Sequence, residues 1–188
     1  MHIRKATQQD AHQIATYVVL AMDDLIYNIL GNITQTDAIG FIAELVAAKG
    51  NQYSYENAWV MEADDKTVVA AALVYDGGRL EELRKDAIAK INATFQRDFQ
   101  PENETQAGEM YIDTVGVHPN YQGKGLGTTL FQFLIEEYAH RQKQTLGLLV
   151  DKDNPKAKAL YVRLGFQYVK DVVFVGKTLE HLQYLPNQ

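Results

Sequence analysis

The chain has 188 residues, 46% of them hydrophobic and 22% charged, with a net charge of −6 and no cysteine. That length suits one well-packed domain, 1–188, and that composition an ordinary soluble globular protein. The acidic balance argues against a general nucleic-acid binder, and the lack of cysteine excludes disulfides, thiolate metal sites and a thiol nucleophile. No apolar run approaches the ~20 residues that span a bilayer. The basic, apolar and small-residue blocks of a signal peptide are also missing, so a cytoplasmic protein without a membrane partner is expected.

In chain order, His2–Lys5 reads as an opening strand. Thr7 or Asp10 then caps a helix carrying Ile14, Val18, Met22, Leu25 and Ile26 at helical spacing. A second helix runs from Thr34 or Asp37 to Lys49, where Gly50 stops it. Tyr55–Met61 and Thr67–Tyr75 form a hairpin across the polar turn 62–66. After Gly77-Gly78, Leu80 to Phe99 is again helical, with Leu83, Ala87, Ile91 and Phe95 four apart. Residues 101–108 are polar, aperiodic and read as a loop. Glu109–Val117 is a strand, Thr128–Gln142 an amphipathic helix, Leu146–Val150 a buried strand and Lys156–Leu164 a short helix closed by Gly165. Phe166–Val175 and His181–Leu185 make the last strand pair. These elements compose an α+β fold around a mixed sheet.

The loop Gln122-Gly123-Lys124-Gly125-Leu126-Gly127 lies between a strand and a helix. Glycines there admit positive φ and close approach, and the helix start aims free N–H groups at an anion. A plain tight turn is the alternative. Two nucleotide motifs fail. The glycines are spaced two and two, unlike the Gly-x-Gly-x-x-Gly fingerprint, and Gly176-Lys177-Thr178 has Asp171 where a Walker A loop needs glycine.

Gln122-x-x-Gly125-x-Gly127 instead resembles the Arg/Gln-x-x-Gly-x-Gly/Ala loop of the GNAT superfamily of N-acetyltransferases, which binds the CoA pyrophosphate. The segment Tyr111 to Pro119 resembles that family's central strand and turn. Asp151-x-x-Asn154-x-x-Ala157-x-x-Leu160-Tyr161-x-x-x-Gly165-Phe166 resembles its second signature. The resemblance covers residues 109 to 168 and implies a GNAT-like, mostly antiparallel sheet flanked by helices. Here a helix is inserted between the third and fourth strands, where the family's minimal fold has a tight turn. The donor implied is acetyl-CoA, a co-substrate, with no metal. It would be bound by Val115, Gly116 and Val117, by Gln122, Gly123, Lys124, Gly125, Leu126, Gly127 and Thr128, and by Asn154 and Tyr161.

Acetyl transfer to an amine needs a neutral amine, a donor to the oxyanion and a proton for the departing thiolate. The resemblance makes the Val115 N–H the oxyanion donor and Tyr161 the general acid, its phenol being protonated at neutral pH. The alternative for Tyr161 is a ring packed in the core. Asn154 either touches the pantetheine arm or forms the turn before Pro155, and the two roles are compatible. Glu109 and Asp113, four apart on one strand, share a face. Glu109 matches the family's carboxylate that acts as base through water, and Asp113 shares that work or bonds a bulged strand. No histidine pair shows metal-ligand spacing.

Acceptors in the family lie against the first helices and last strands, where Asp23, Asp24, Tyr27, Tyr53, Tyr55, Phe174 and His181 stand. Carboxylates and rings suit a cation. The inserted 77–108 segment covers the acceptor, joins two copies in a homodimer, or is inert. The function implied is transfer of acetyl from acetyl-CoA to a primary amine, a small molecule before a peptide or protein, by direct attack in a ternary complex. A non-catalytic CoA-binding or sensing domain on the same fold is the alternative.

Overall fold

The computed structural model describes residues 1–22 and 24–186. Its strands are β1 (His2–Lys5), β2 (Ala58–Glu62), β3 (Val68–Asp76), β4 (Met110–Val117), β5 (Leu146–Asp151), β6 (Gln167–Phe174) and β7 (Lys177–Tyr184). Its α-helices are α1 (Ala11–Met22), α2 (Asp24–Leu30), α3 (Gln35–Ala47), α4 (Leu80–Phe95), α5 (Leu126–Leu134) and α6 (Pro155–Arg163). The strands form one sheet in the order β1-β2-β3-β4-β5-β7-β6, antiparallel except where β4 meets β5.

The apolar spacing of α1 and α3 buries Ile14, Val18, Ile42, Leu45 and Val46 against Val60, Ala71 and Leu73 on one face of the sheet. Leu130, Phe131 and Leu134 of α5 pack with Val74, Ile112 and Leu148 on the other. The α4 helix lies on the chain itself, through Leu83, Ala87 and Ile91 and an edge-to-face contact of Phe95 with Phe41. Each fully buried large apolar side chain is worth roughly 1.5–3 kcal/mol, so this inserted helix is firmly seated.

Several element boundaries differ from expectation, among them the end of α4 at Phe95 and the start of α5 at Leu126. The second strand starts at Ala58, not Tyr55. Ser54 caps a tight turn over Tyr55–Asn57, and Asn51 ties it down by bonds to Leu45 and Tyr53. Residues 177–180 are strand, so the last strand begins at Lys177 and not at His181. Val175 and Gly176 (φ +49° and +76°) make a two-residue turn, so β7 pairs with β6 from Lys177 onward.

Candidate active site

The central feature of the site is the way β4 leaves β5. The parallel pairing covers only Met110–Ile112 with Leu146–Leu148. Beyond Ile112, β4 keeps β3 on one side and has no strand on the other. From Asp113 to Val117, every second backbone N–H and C=O on that side therefore faces a gap, an open edge able to pair with an extended amide-bearing chain. A bulge causes the departure. Leu73 stands opposite Thr114 and Val74 opposite Ile112, so Asp113 is the extra residue. The bulge also lets Met110, Ile112, Val115 and Val117 all face α5. Gly116 then backs onto α1, where an added Cβ would lie 2.5 Å from the Tyr17 carbonyl oxygen. Its place is therefore set by packing.

The glycine loop follows β4. Gly125, at φ +80°, is the residue before α5, and the first-turn N–H groups of Leu126, Gly127 and Thr128 follow it unpaired within the helix. Gln122 Nε2 donates to the Val117 carbonyl (3.2 Å) and Lys124 Nζ to that of Asn120 (3.0 Å). The loop is exposed, and its amides with the helix dipole suit a phosphate group. Across the gap, Asn154 accepts from the Ala157 N–H (3.1 Å) and so caps α6. Two turns on from Asn154, Tyr161 packs its ring on Phe131 and Phe166. Burial alone pushes its phenol up to about 12.

Glu109 and Asp113 enter the same buried cluster around Tyr111 but behave in opposite ways. The Glu109 carboxylate accepts from Thr105 Oγ1 (2.7 Å), His181 Nε2 (2.8 Å) and Gln183 Nε2 (2.6 Å). Burial works against its ionisation, yet these bonds outweigh burial and hold its pKa below the usual range. The carboxylate fills the space over Gly147, where any Cβ would collide with it. Asp113 is raised to about 6 by burial, although Thr114 and Tyr75 hydroxyls favour its charge.

Glu104, in the stretch read only as a loop, is the site residue that sequence reasoning missed. It is 4% exposed and raised to about 7, first by burial and then by the charge of Asp113. It accepts from Gln52 Nε2 (3.2 Å) and the Tyr75 hydroxyl (3.3 Å). Tyr75 therefore stands between two carboxyls of near-neutral affinity. His181, read as an acceptor-facing residue, is instead buried beneath Glu109.

Outside this cluster an open depression of about 570 Å³ is lined by Tyr27, Asn28, Gly31, Asn32 and Arg97, with Val175 and Gly176 at the β6–β7 turn. Arg97 reaches it from the segment after α4 and donates to the Ile29 carbonyl (2.8 Å). Of the residues expected around an acceptor, Tyr27 lines it, Tyr53 lies buried near Asp113 and Glu104, and Asp23 falls outside the described residues. Among the described residues no three carboxylate or imidazole groups converge as metal ligands. No helix of the described residues is long and apolar enough to cross a membrane.

A family model described as the acetyltransferase (GNAT) family matches residues 42–166. The chain belongs to the GNAT acetyltransferase family. A crystal structure of an acetyltransferase covers 100% of both chains at 30% identity, with a TM-score of 0.79. An N-acetyltransferase from Staphylococcus aureus Mu50 shares the fold, with a TM-score of 0.84 at 22% identity over 98% of this chain and 100% of that one. The mycothiol acetyltransferase of Streptomyces scabiei is 40% identical over 74 residues, 39% of this chain and 23% of that protein. The chain thus matches about a quarter of the length of that relative. GNAT acetyltransferases use acetyl-CoA, and membership makes this chain an acyltransferase, the catalytic one of the two readings that the sequence left open.

Proposed function

We propose that this GNAT enzyme moves an acetyl group from acetyl-CoA to the primary amine of a small molecule by direct attack in a ternary complex. The observation that carries the reading is the open β4 edge with the glycine loop at its end and Asp113 at its bulge. The pantetheine amides pair with β4 at Val115 and Val117 as an added strand. The pyrophosphate takes the N–H groups between Gln122 and Thr128. The Val115 N–H serves the developing oxyanion, and Tyr161 gives its proton to the departing thiolate.

The base we assign is Asp113. An ammonium of pKa about 10.4 must lose a proton before attack, and a base near the working pH does this best. Asp113, at about 6 and beside Glu104, meets that condition. Glu109 accepts three hydrogen bonds, is held ionised and has low proton affinity. Its part is to anchor β7 to the start of β4. The open depression beside Arg97 is where we place the acceptor, and its volume of about 570 Å³ admits a small molecule. The inserted segment contributes Arg97 to its wall.

A panel of amines incubated with acetyl-CoA, with thiol release monitored, tests the reading. Small amines should release thiol at rates that protein lysines do not match. Release that no amine stimulates would remove the amine from the reaction.

A further inference from the structure

His181 poses a question that the acceptor reading leaves unanswered. It is 1% exposed, and its Nε2 lies 2.8 Å from Glu109 Oε2. Glu109 is ionised and can only accept, so the proton of the neutral ring is on Nε2 and Nδ1 carries a bare lone pair. Among the described residues that buried Nδ1 has no hydrogen-bond partner, and neither has Glu104 Oε2, from which the Arg84 guanidinium stands 4.0 Å away. Leaving such atoms unpaired is costly, so two in one place call for a common partner. Both residues line the same small cavity of about 20 Å³, with Thr105, Gln106 and Lys170 also in its wall. A single water needs roughly 10–15 Å³ and two or more polar contacts, and this cavity offers both.

We propose that Glu104, one bound water and His181 form a proton path leading away from Asp113, with His181 Nδ1 as its terminal acceptor. The path rests on the assignment of Asp113 as base. The ammonium gives its proton to the Asp113 carboxylate. The Tyr75 hydroxyl takes that proton on its oxygen while passing its own to Glu104, whose Oε1 it faces at 3.3 Å. The Glu104 carboxyl then turns to present the protonated oxygen to the cavity and protonates the water, and the water protonates His181 Nδ1. The resulting imidazolium is held by the Glu109 carboxylate, whose 2.8 Å contact with Nε2 then becomes an ion pair. No other atom changes hands. The charged groups around the ring are Glu109 ahead of β4, Glu104 in the loop, Lys170 on β6 and the neighbouring Glu180 on β7 itself. Lys170 is turned to Gln106 (2.8 Å), which leaves Nδ1 to the cavity. On β5 the strand neighbour is Leu149, which is uncharged. His181 acts through Glu104 and touches no substrate.

The variant that isolates this role is His181→Gln, whose amide can still donate to Glu109 but offers no basic nitrogen. Its kcat should fall roughly 10- to 100-fold, the low end for a positioned acid–base group, with KM for amine and acetyl-CoA unchanged. Glu104→Gln should give a similar loss, and the double variant no more than either alone. A folded His181→Gln with the wild-type kcat and pH profile would overturn the path. Ring-nitrogen NMR of the intact wild type needs neither variant nor acceptor. It should show His181 with Nε2 protonated and Nδ1 accepting, and on acidification the added proton should appear at Nδ1. A neutral ring protonated at Nδ1 would equally overturn the path. A chain that acetylates no amine would instead remove Asp113 as base, an outcome the ring-nitrogen signals do not depend on.

Discussion

The glycine loop and the carboxylate cluster flank β4, one just after its end and the other around its start and bulge, and they are assembled differently. Gln122 to Thr128 is one short run whose conformation follows from Gly123 and Gly125 at positive φ and from the helix that begins at Leu126. The cluster draws Tyr53, Tyr75, Glu104, Glu109, Asp113 and His181 from five segments. A backbone anion site carries its partial charges at every pH. A cluster of buried carboxyls depends on how a proton is shared, because burial and neighbouring charge decide which of them ionises. The donor side should therefore answer to backbone changes and ignore pH, whereas the acceptor side should do the reverse.

The sharpest break in that contrast is at Asp113. Asp113→Asn removes the group that takes the ammonium proton, and kcat should fall by roughly 10²–10⁴-fold while acetyl-CoA affinity holds. In the wild type, activity should rise with pH as Asp113 ionises, with an ascending limb between about 6 and 7 from the coupled Asp113 and Glu104. Glu109→Gln should leave the position of that limb where it is. A limb that moves in the Glu109 variant and persists in the Asp113 variant would exchange the two roles.

Tyr161 tests the donor side by chemistry. Tyr161→Phe keeps the ring stacked on Phe131 and loses only the proton. Turnover should drop roughly 10²-fold, by acid–base precedent, with CoA affinity unchanged in a direct titration. Because its phenol is raised to about 12, the wild type should show no descending limb from this group below pH 10.

The difference in assembly also explains what could be read in advance. Helix positions came from apolar spacing, and the glycine loop with Asn154 and Tyr161 from compact motifs. Such signals are local. Glu104 carries none, since the run Pro101 to Gly108 is polar and aperiodic. Its burial comes from Gln52, Tyr75 and Arg84, distant in sequence. Gly147 gave no warning either, because its task is to leave room for the side chain of Glu109, far from it in the chain. The face shared by Glu109 and Asp113 followed from strand geometry. Their opposite proton affinities depend on partners brought in by β7 and the loop.

Glu104 moves stability as well as rate. Its folded pKa lies above the ordinary value of 4.5, so the folded state favours the protonated form. Stability is then full below pH 4.5 and is lost as pH rises through about 7. At 1.36 kcal/mol per pKa unit the loss approaches about 3 kcal/mol by pH 8. Glu104→Gln carries no charge to bury and should escape it. Denaturant unfolding should find the variant close to wild type at pH 5 and more stable by about 2–3 kcal/mol at pH 8. A gap that does not widen with pH would show that Glu104 shares no proton with its surroundings.

The smallest expected effect isolates the loop. An added Cβ at Gly125 meets no atom within 4 Å, so Gly125→Ala changes only the backbone preference at φ +80°. Holding a residue other than glycine there costs about 1 kcal/mol, which a free loop that relaxes must regain on binding, so CoA affinity falls roughly fivefold. The factor should be the same at pH 6 and pH 8, since no titrating group enters it. Unchanged affinity would mean that the helix start alone holds the phosphate and the positive φ contributes nothing. A loss that varies with pH would join the loop to the carboxyl cluster and dissolve the contrast between the two sides of β4.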